Sequence, residues 1–509
     1  MLAGRQNRRA KPQQRMRVRK AEDVARRQRK GAVSPASIAQ GGHHPFCRTA
    51  DNARLYKYES RSKEAFDKIE KVLRQISQHQ HRMDFIVQAQ QISEQELGFA
   101  LPKSMLDNAW IAPLDMRGMY AWCVFETFRR FADEFFTTQP LAQPQDAGFQ
   151  DFLESCGFHT LDLSPCADGR LAHIIRYVLR LPHKGVRRKS YAGAMFDVED
   201  SVQKWVKTEF TRHHEAKPNG ANEPTRYLKT AVYHYSSSKP DEEGCAAHGS
   251  DPVRAAEGAL SRLLDFRQGV ENSFCCGASI DLLLIGIDTD NDAIRVHLPD
   301  DQGYLNSDCY IDANEVYQQT RHLNESDGKV VVSGLVQQVA QENGVAPAVG
   351  MVKLITRLLL NNISQIDYVR NYFKGCYSDI GHQERFIGMG IGFEEVQLRN
   401  LTYFAYLKTV ELGAKDLDVG IKIFTGLNIN RGLPAPVVIR YDYHGNVPGA
   451  RDRAVARCQC LDMAMRERFA NQADQGLLHT LMVVRDCNAE QSIEVVGSSV
   501  QLGVTEEMH

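Results

Sequence analysis

Residues 161–170 of this 509-residue chain read Leu-Asp-Leu-Ser-Pro-Cys-Ala-Asp-Gly-Arg. Apolar and polar residues alternate at the beginning of this stretch, and that pattern predicts a β-strand that the proline ends. After the proline, a thiol, an acid and a guanidinium stand at alternate positions, as Cys166, Asp168 and Arg170. We therefore expect these three side chains at the carboxyl end of a strand, with a helix over 172–181 to follow.

A second stretch, residues 233–248, carries further polar groups after another predicted strand. It reads Tyr-His-Tyr, a polar loop and then Gly-Cys-Ala-Ala-His, so that His234 ends the strand and Cys245 and His248 follow the loop. A helix that begins at Pro252, an almost wholly apolar strand over 280–287 and a strand over 293–297 come next. Apolar strands of this kind are typical of a sheet covered on both faces, and the order predicts an α/β domain.

The two stretches together offer two thiols, Cys166 and Cys245, and two imidazoles, His234 and His248. Two thiolates and one imidazole are a ligand set of catalytic zinc, in which a fourth position stays open for water. Four protein ligands would instead close the site and make the zinc structural. The residue types allow both arrangements.

The pattern Cys-x-Asp-x-Arg, followed by a histidine at a strand end and a later cysteine, resembles the signature of β-type carbonic anhydrases. Ordinary members of that class place the second cysteine three residues after the histidine, whereas ten residues separate His234 from Cys245 here. This longer spacing, with the strings at 164–170 and 244–250, resembles the carboxysome shell carbonic anhydrases of α-carboxysomes, a divergent β-type family. Further similar strings lie at 191–197, 275–281 and 362–368, and the resemblance extends from about residue 52 to the C-terminus.

The resemblance implies one Zn²⁺ per chain, held by Cys166, His234 and Cys245, and reversible hydration of carbon dioxide to bicarbonate. Zinc with an open position lowers the pKa of a bound water to about 7, which makes that water a nucleophile. Asp168 would orient the attacking oxygen. Arg170 would hold Asp168 through a fork of two hydrogen bonds and keep it from ligating the metal.

The fold class that we predict is α/β, with an N-terminal helical domain and two α/β domains similar to β-type carbonic anhydrases. We place a disordered basic arm at 1–52, the helical domain at 53–145, the catalytic zinc domain at 146–388 and a degenerate repeat at 389–509. The repeat is inferred from the strand 437–443, where Asp442 takes the place of His234. No cysteine there matches Cys166 or Cys245, so the repeat should hold no zinc. We expect 416–424 to be its counterpart of 162–170.

Charge divides the chain into a basic arm and an acidic remainder. Residues 1–31 carry about +10 and the whole chain carries −1, so the remainder carries about −11. Such an arm favours an acidic partner. It could be a solvated tail, a nucleic-acid arm or an arm that folds on a protein partner. The resemblance implies the last, with Rubisco and carboxysome shell proteins as partners, no nucleic acid, a place at the inner face of the shell, and a homodimer or an oligomer of dimers.

Two further predictions concern proton transfer and control. Hydration must export a proton, and His382 is a candidate shuttle because histidine titrates near neutral pH. Residues 183–189 read His-Lys-Gly-Val-Arg-Arg-Lys and concentrate donors suited to phosphate. The basic residues concerned are Lys184, Arg187, Arg188 and Lys189. We weigh an effector site for ribulose bisphosphate there against a solvated basic loop.

The composition excludes several classes of protein. No apolar run approaches the roughly 18 residues that span a bilayer, so no membrane partner is expected. Twelve cysteines in 509 residues do not indicate a disulfide scaffold. A structural zinc-containing shell or scaffold protein, or another zinc hydrolase, is the alternative function. A deaminase would need a glutamate beside its first ligand and a later Cys-x-x-Cys pair, and the sequence has neither.

Overall fold

The computed structural model describes residues 42–141, 148–182, 185–214, 225–274, 280–300, 302–405, 410–489 and 492–500. The helices and strands belong to one compact unit that begins at His44. The helices are α1 (Thr49–Asp67), α2 (Ile69–Ser77), α3 (Phe85–Glu96), α4 (Met116–Thr138), α5 (Phe149–Ser155), α6 (Val198–His214), α7 (Pro252–Phe274), α8 (Ala313–Thr320), α9 (Glu325–Glu342), α10 (Val349–Tyr372), α11 (Val410–Leu427), α12 (Ala450–Arg468) and α13 (Ala470–Asp474). The strands are β1 (Phe158–Pro165), β2 (Arg187–Arg188), β3 (Arg226–Tyr235), β4 (Ile280–Asp288), β5 (Ile294–Pro299), β6 (Leu305–Asp312), β7 (Phe386–Gly390), β8 (Thr402–Ala405), β9 (Ala435–Tyr443), β10 (Leu478–Asp486) and β11 (Glu494–Ser498).

The first four helices form the predicted N-terminal helical region. Apolar residues at the helical period bury one face of α2, namely Ile69, Val72, Leu73 and Ile76. The N-terminus of α4 is capped by Asp115, whose Oδ1 accepts the N–H of Gly118 at 2.9 Å. Several aromatic residues of α4 are buried in the core. The Phe128 ring lies 5.5 Å from that of Phe386, so the helical region packs on the second sheet.

The first sheet has the strand order β2-β1-β3-β4-β5-β6. The first four strands run parallel, and β5 and β6 are antiparallel to their neighbours. Parallel neighbours place their carboxyl ends at the same edge of a sheet, so β1 and β3 deliver their following residues side by side. In register, Pro165 of β1 lies opposite Val232 of β3.

The helix predicted at 172–181 is wrong. That segment instead forms a single wide helical turn over Ile174–Val178, which is wholly buried. Side chains of α10 bond carbonyl groups near the end of this segment: Asn362 Nδ2 donates to the Val178 carbonyl at 3.1 Å and Asn361 Nδ2 to that of Leu179 at 3.0 Å. β-Branched residues with low helix propensity favour this outcome.

The second sheet repeats the arrangement of the first. Its order is β11-β10-β9-β7-β8, so β8, β7, β9, β10 and β11 correspond to β2, β1, β3, β4 and β5. The N–H of Cys166 donates to the Val232 carbonyl at 3.1 Å, and the N–H of Ile391 donates to that of Arg440, also at 3.1 Å. Two residues further along each acceptor strand lie His234 and Asp442, which therefore occupy equivalent positions.

One predicted element of the repeat is wrong. Residues 416–424 belong to helix α11, and the counterpart of β1 is β7. Asp442, at the position equivalent to His234, is bonded by its neighbour Arg440, which is fully buried and whose Nε donates to Asp442 Oδ1 at 2.7 Å. The same guanidinium pairs with buried Glu395. The repeat therefore has an ion-pair cluster at the edge where the first sheet has two thiols and an imidazole.

The predicted disordered arm over 1–52 overlaps the folded chain at its C-terminal end. Residues 1–41 lie outside the described residues, but His44 and Asn52 are buried. The His44 N–H donates to Asp367 Oδ1 at 2.8 Å, and Asn52 Nδ2 donates to the Ser364 carbonyl at 2.9 Å. The Pro-containing stretch 139–145, which ends the predicted helical domain, lies largely outside the described residues. Within the part of the chain that is described, no helix has both the length and the apolar character needed to cross a bilayer.

Candidate active site

Three ligand-type side chains meet at the carboxyl edge of the first sheet. Cys166 follows β1, His234 is the penultimate residue of β3, and Cys245 ends the loop that leaves β3. Their Sγ and ring nitrogen atoms all lie within 4.8 Å of one another, and the residues are 5 %, 1 % and 2 % exposed. The structure thus brings together the three residues that the sequence proposed as ligands, although 67 residues lie between the first two.

The two thiols share a hydrogen bond and have opposite pKa shifts. That bond raises the pKa of Cys166, and burial raises it further. It lowers the pKa of Cys245, so one thiolate forms more readily than the other. The N–H of Gly193 also donates to Cys166 Sγ, at 3.3 Å. A backbone donor of this kind stabilises negative charge on sulfur.

The imidazole of His234 is an unsatisfied buried group. Neither ring nitrogen makes a hydrogen bond with the described residues, and Asp168 Oδ2 lies 3.4 Å from Nε2. A buried polar atom without a partner costs stability, which a cation bound at that nitrogen would offset. Two sulfurs and one such nitrogen are the donor set that suits Zn²⁺, so the residues fit the metal that the sequence implied.

Asp168 and Arg170 form a closed pair beside these three residues. Arg170 Nη2 donates to Asp168 Oδ2 at 2.7 Å, and Nε donates to Oδ1 at 2.9 Å. Burial alone would raise the pKa of Asp168, but Arg170, together with His234 and His382, holds that pKa well below its usual range. The carboxylate is therefore ionised and fixed in direction.

Carbonyl groups from two loops lock the guanidinium of Arg170. Its Nη1 donates to the carbonyls of Glu243 at 2.5 Å and Ile380 at 2.8 Å, and its Nη2 to that of Gly244 at 3.3 Å. The loop that carries Cys245 and the segment before β7 thus both depend on this side chain. Arg170 is 1 % exposed, so each of these bonds is sheltered from water.

His382 lies on the other side of Asp168. Its Nε2 is 3.9 Å from Asp168 Oδ2, and its side chain is 23 % exposed. Its Nδ1 lies 3.0 Å from Oε1 of Glu384, a buried residue that the sequence reasoning missed. Glu384 Oε1 also accepts the N–H of Gly169, 215 residues earlier, and only the folded chain reveals that contact.

His248 lies outside the three-residue cluster. Its Nε2 is 3.0 Å from the Gly193 carbonyl, so the ring braces the turn whose N–H bonds Cys166. Gly193 has φ +64°, and a Cβ there would lie 2.8 Å from His248 Nε2. This packing gives His248 a role in supporting the turn over Ala192–Ala194.

The basic stretch is divided between the surface and the interior. Arg187 is exposed and bonds Thr208, whereas Arg188 Nη1 donates to the Ala172 carbonyl at 2.7 Å. Lys189 is buried and pairs with Asp200. Lys184 lies outside the described residues. The side chains of Arg188 and Lys189 thus donate hydrogen bonds to groups within the chain.

The fold and this site define a β-type carbonic anhydrase: two thiols, an imidazole and a locked Asp–Arg pair at the carboxyl edge of a mainly parallel sheet. Comparison with known proteins then gives the family. Three consecutive models of the carboxysome shell carbonic anhydrase match the chain, for its N-terminal part at 44–136, its catalytic domain at 148–382 and its C-terminal part at 383–500. The chain belongs to the carboxysome shell carbonic anhydrase family.

Similar proteins from several organisms carry the same description. The carboxysome shell carbonic anhydrase of Prochlorococcus marinus (strain MIT 9313) is 52% identical over 470 residues, covering 92% of this chain and 91% of that protein. That of Parasynechococcus marenigrum (strain WH8102) is 51% identical, with 95% and 86% covered. That of Halothiobacillus neapolitanus is 44% identical, with 90% of each covered. The chain is therefore a carbonic anhydrase, and its reaction is the hydration of carbon dioxide.

Proposed function

We propose that this enzyme is a zinc-dependent carbonic anhydrase that acts inside the carboxysome, where it converts bicarbonate to carbon dioxide for Rubisco. One Zn²⁺ per chain would be held by Cys166, His234 and Cys245. The observation that supports the site is the unsatisfied buried imidazole of His234 between two buried thiols. Zinc there would supply Lewis acidity that brings the pKa of a water molecule to about 7.

Asp168 and Arg170 supply orientation. Asp168 can only accept hydrogen bonds when ionised, so it would accept one from the attacking oxygen and turn a lone pair of that oxygen toward carbon dioxide. Arg170 occupies both carboxylate oxygens and is itself held by three carbonyl groups. Because the pair cannot rotate freely, Asp168 stays a hydrogen-bond acceptor beside the ligands.

His382 would move the proton out of the site. Its Nε2 faces Asp168, and part of its ring reaches solvent. An imidazole in this position can take a proton on the buried side and release it to buffer on the exposed side. His382 would act only in proton transfer, and His248 would brace the turn over Ala192–Ala194.

The family and the charge pattern support a proposal for the location and partners of the enzyme. We propose that the basic arm contacts Rubisco and shell proteins at the inner face of the carboxysome shell, and that the chain forms a dimer or an oligomer of dimers. The ribulose bisphosphate effector remains a prediction. Among the described basic residues of 185–189, Arg187 is the one whose side chain is exposed.

Zinc content and hydration rate, measured on the same samples, test the proposal. Cys166→Ser, His234→Ala and Cys245→Ser should each lose both bound zinc and carbon dioxide hydration, because a site with two ligands binds zinc weakly. His248→Ala is the matched control and should keep one zinc per chain. Zinc loss in the control would indicate a closed, structural site, and an active zinc-free protein would overturn the proposal.

A further inference from the structure

Glu384 is a buried carboxylate that contacts the active site from the second half of the chain. It stands two residues after His382 and just before β7. Its Oε1 accepts the N–H of Gly169 at 3.1 Å and lies 3.0 Å from His382 Nδ1. One oxygen atom therefore touches both the turn that carries Asp168 and the ring that faces Asp168.

The contact with Glu384 decides which nitrogen of His382 carries a hydrogen. An ionised carboxylate has no hydrogen to donate, so the ring must donate from Nδ1. In the neutral ring, the lone pair then lies on Nε2, which is 3.9 Å from Asp168 Oδ2. The basic nitrogen of His382 consequently points at the place where hydration releases its proton.

Glu384 is not placed for stability. Its side chain is fully buried, and Oε2 has no hydrogen-bond partner among the described residues. A buried, unpaired carboxylate oxygen costs free energy of folding, and such groups concentrate at functional sites. The neighbouring backbone is fitted closely to it, since a Cβ on Gly169 would lie 2.5 Å from Glu384 Cγ.

We propose that Glu384 is a positioning residue for proton export, which holds His382 with Nδ1 protonated and Nε2 toward Asp168. The inference rests on the proposed function, in which His382 carries the proton. As bicarbonate forms, the water gives up one proton, Nε2 of His382 takes it, and the ring becomes an imidazolium. The ring then passes that proton to a buffer base and returns to the neutral Nδ1–H form.

The charged groups around His382 favour its imidazolium form, so the ring must release a proton to buffer before Nε2 can accept the one that hydration frees. Asp168 and Glu384 flank it with negative charge and Arg170 opposes them. Glu243 lies close by, since its Oε2 is 3.1 Å from a Cβ built on Gly381. Burial would lower the pKa of His382, but the two carboxylates raise it to about 9 in the metal-free chain.

The decisive variant is Glu384→Gln in the zinc-loaded, full-length chain. An amide oxygen can still accept the Gly169 N–H, so the turn and the zinc should be unchanged, but it holds the Nδ1–H of His382 more weakly than a charged carboxylate does. We expect kcat at low buffer concentration to fall about tenfold, as for other groups that orient a functional histidine. The value of kcat/KM should stay within about twofold, because bicarbonate forms before the proton leaves. Higher concentrations of imidazole buffer should restore kcat.

A second measurement does not depend on activity. The ¹⁵N signals of His382 in the zinc-free protein report the protonation of each ring nitrogen, and Glu384→Gln should lower the pKa that they give. At pH 10, where the ring of His382 is neutral, the unfolding midpoint of this variant should not fall, since an amide is less costly to bury than a carboxylate with one unpaired oxygen. Glu395→Gln is the matched control, a buried carboxylate that pairs with Arg440, and it should leave the His382 signals and the buffer dependence unchanged.

Three results would overturn the inference. An unchanged kcat at low buffer would show that Glu384 has no part in proton export. A parallel fall of kcat, kcat/KM and the unfolding midpoint would assign it a structural role. An unchanged His382 titration would refute the contact itself. Absence of activity in the wild-type zinc protein would instead overturn the proposed function, which separates the two failures.

Discussion

We expect Asp168 to be essential to the reaction without binding the metal. Asp168→Asn keeps the size of the side chain but removes the charge that Arg170 neutralises. We expect zinc to remain at one per chain and kcat/KM for hydration to fall about 100-fold, the usual cost of losing a preorganised hydrogen-bonding group. Stopped-flow hydration assays and metal analysis would measure both. A rate near that of the wild type would remove Asp168 from the mechanism.

At His382, the same electrostatics should appear as a pH dependence of stability. The carboxylates of Asp168 and Glu384 raise its pKa to about 9 in the metal-free chain, against an ordinary value of 6.5. A raised pKa stabilises the fold fully below pH 6.5, and that stabilisation is lost as the pH rises through about 9. The unfolding midpoint of the wild type minus that of His382→Ala should therefore shrink between pH 6.5 and 10.

The control for that pH series is His248→Ala, which removes a ring bonded to a carbonyl group instead of a carboxylate. The unfolding midpoint of the wild type minus that of His248→Ala should not shrink in the same way between pH 6.5 and 10. If the corresponding difference for His382→Ala stays constant over this range, the ion pairs of His382 do not stabilise the fold.

Among the elements, the short turn over Ala192–Ala194 can be tested with a pair of glycines. Gly193 and Gly249 both have a left-handed backbone, with φ +64° and +65°. A Cβ on Gly249 meets nothing within 4 Å, whereas on Gly193 it meets His248 and Ala247. Each alanine variant should lose about 1–2 kcal/mol from backbone strain, and Gly193→Ala should lose more.

Zinc titration distinguishes the two glycine variants further. Because the Gly193 N–H bonds Cys166 Sγ, displacement of the turn should weaken zinc binding in Gly193→Ala. Zinc affinity in Gly249→Ala should match the wild type. Equal stability and equal affinity in the two variants would show that the turn does not support the site.

The sequence predicted correctly the strands that carry a clear apolar pattern of their own. Cys166 follows one such strand and His234 lies at the end of another, so their common edge could be deduced from the parallel sheet. The counterpart of β1 in the repeat could not, because β7 is only five residues long and contains two glycines. Gly390 there has φ +111°, and a Cβ would lie 2.0 Å from the Arg440 carbonyl oxygen, a tertiary constraint that no local pattern contains.

Contacts between the two halves were the other limit of the sequence reasoning. The N–H of Asn400 donates to the Gly169 carbonyl at 2.7 Å, and the N–H of Phe404 donates to that of Ala167 at 3.3 Å. These bonds hold the turn on both sides of Asp168 from more than 200 residues away. Backbone contacts of this kind leave no signature in side-chain identity, so they could not be predicted from the sequence.

At the scale of the whole molecule, the two sheets have the same strand order but different contents at the equivalent edge. The first sheet keeps thiols and an imidazole there, and the second has Arg440 paired with Asp442 and Glu395. In this cluster the guanidinium of Arg440 pairs with both carboxylates, so its charge is balanced by side chains of the protein. The repeat therefore contacts the first sheet through the turn around Asp168, which Asn400 and Phe404 bond, and Glu384 bonds the same turn from just before β7.

The basic arm can be separated from the enzyme if the truncation respects the packing that follows it. His44 and Asn52 bond helix α10, so a deletion that ends before residue 42 should leave the fold intact. We expect the chain without residues 1–41 to hydrate carbon dioxide at the wild-type rate but to lose its place beside Rubisco. Removal of 1–52 would also cut into α1 and should lower the unfolding midpoint, which makes it the contrasting truncation.

Binding of the arm to its partner should be sensitive to salt, because exposed charges are screened over about 8 Å at physiological ionic strength. Co-sedimentation of each chain with purified Rubisco, at rising salt concentration, would measure this. The arm carries about +10 in its first 31 residues, so full-length binding should weaken steeply as salt increases, and the chain without residues 1–41 should show neither binding nor salt dependence. Equal encapsulation of the two chains in carboxysomes would mean that the folded body, with its net charge of about −11, recruits the enzyme instead.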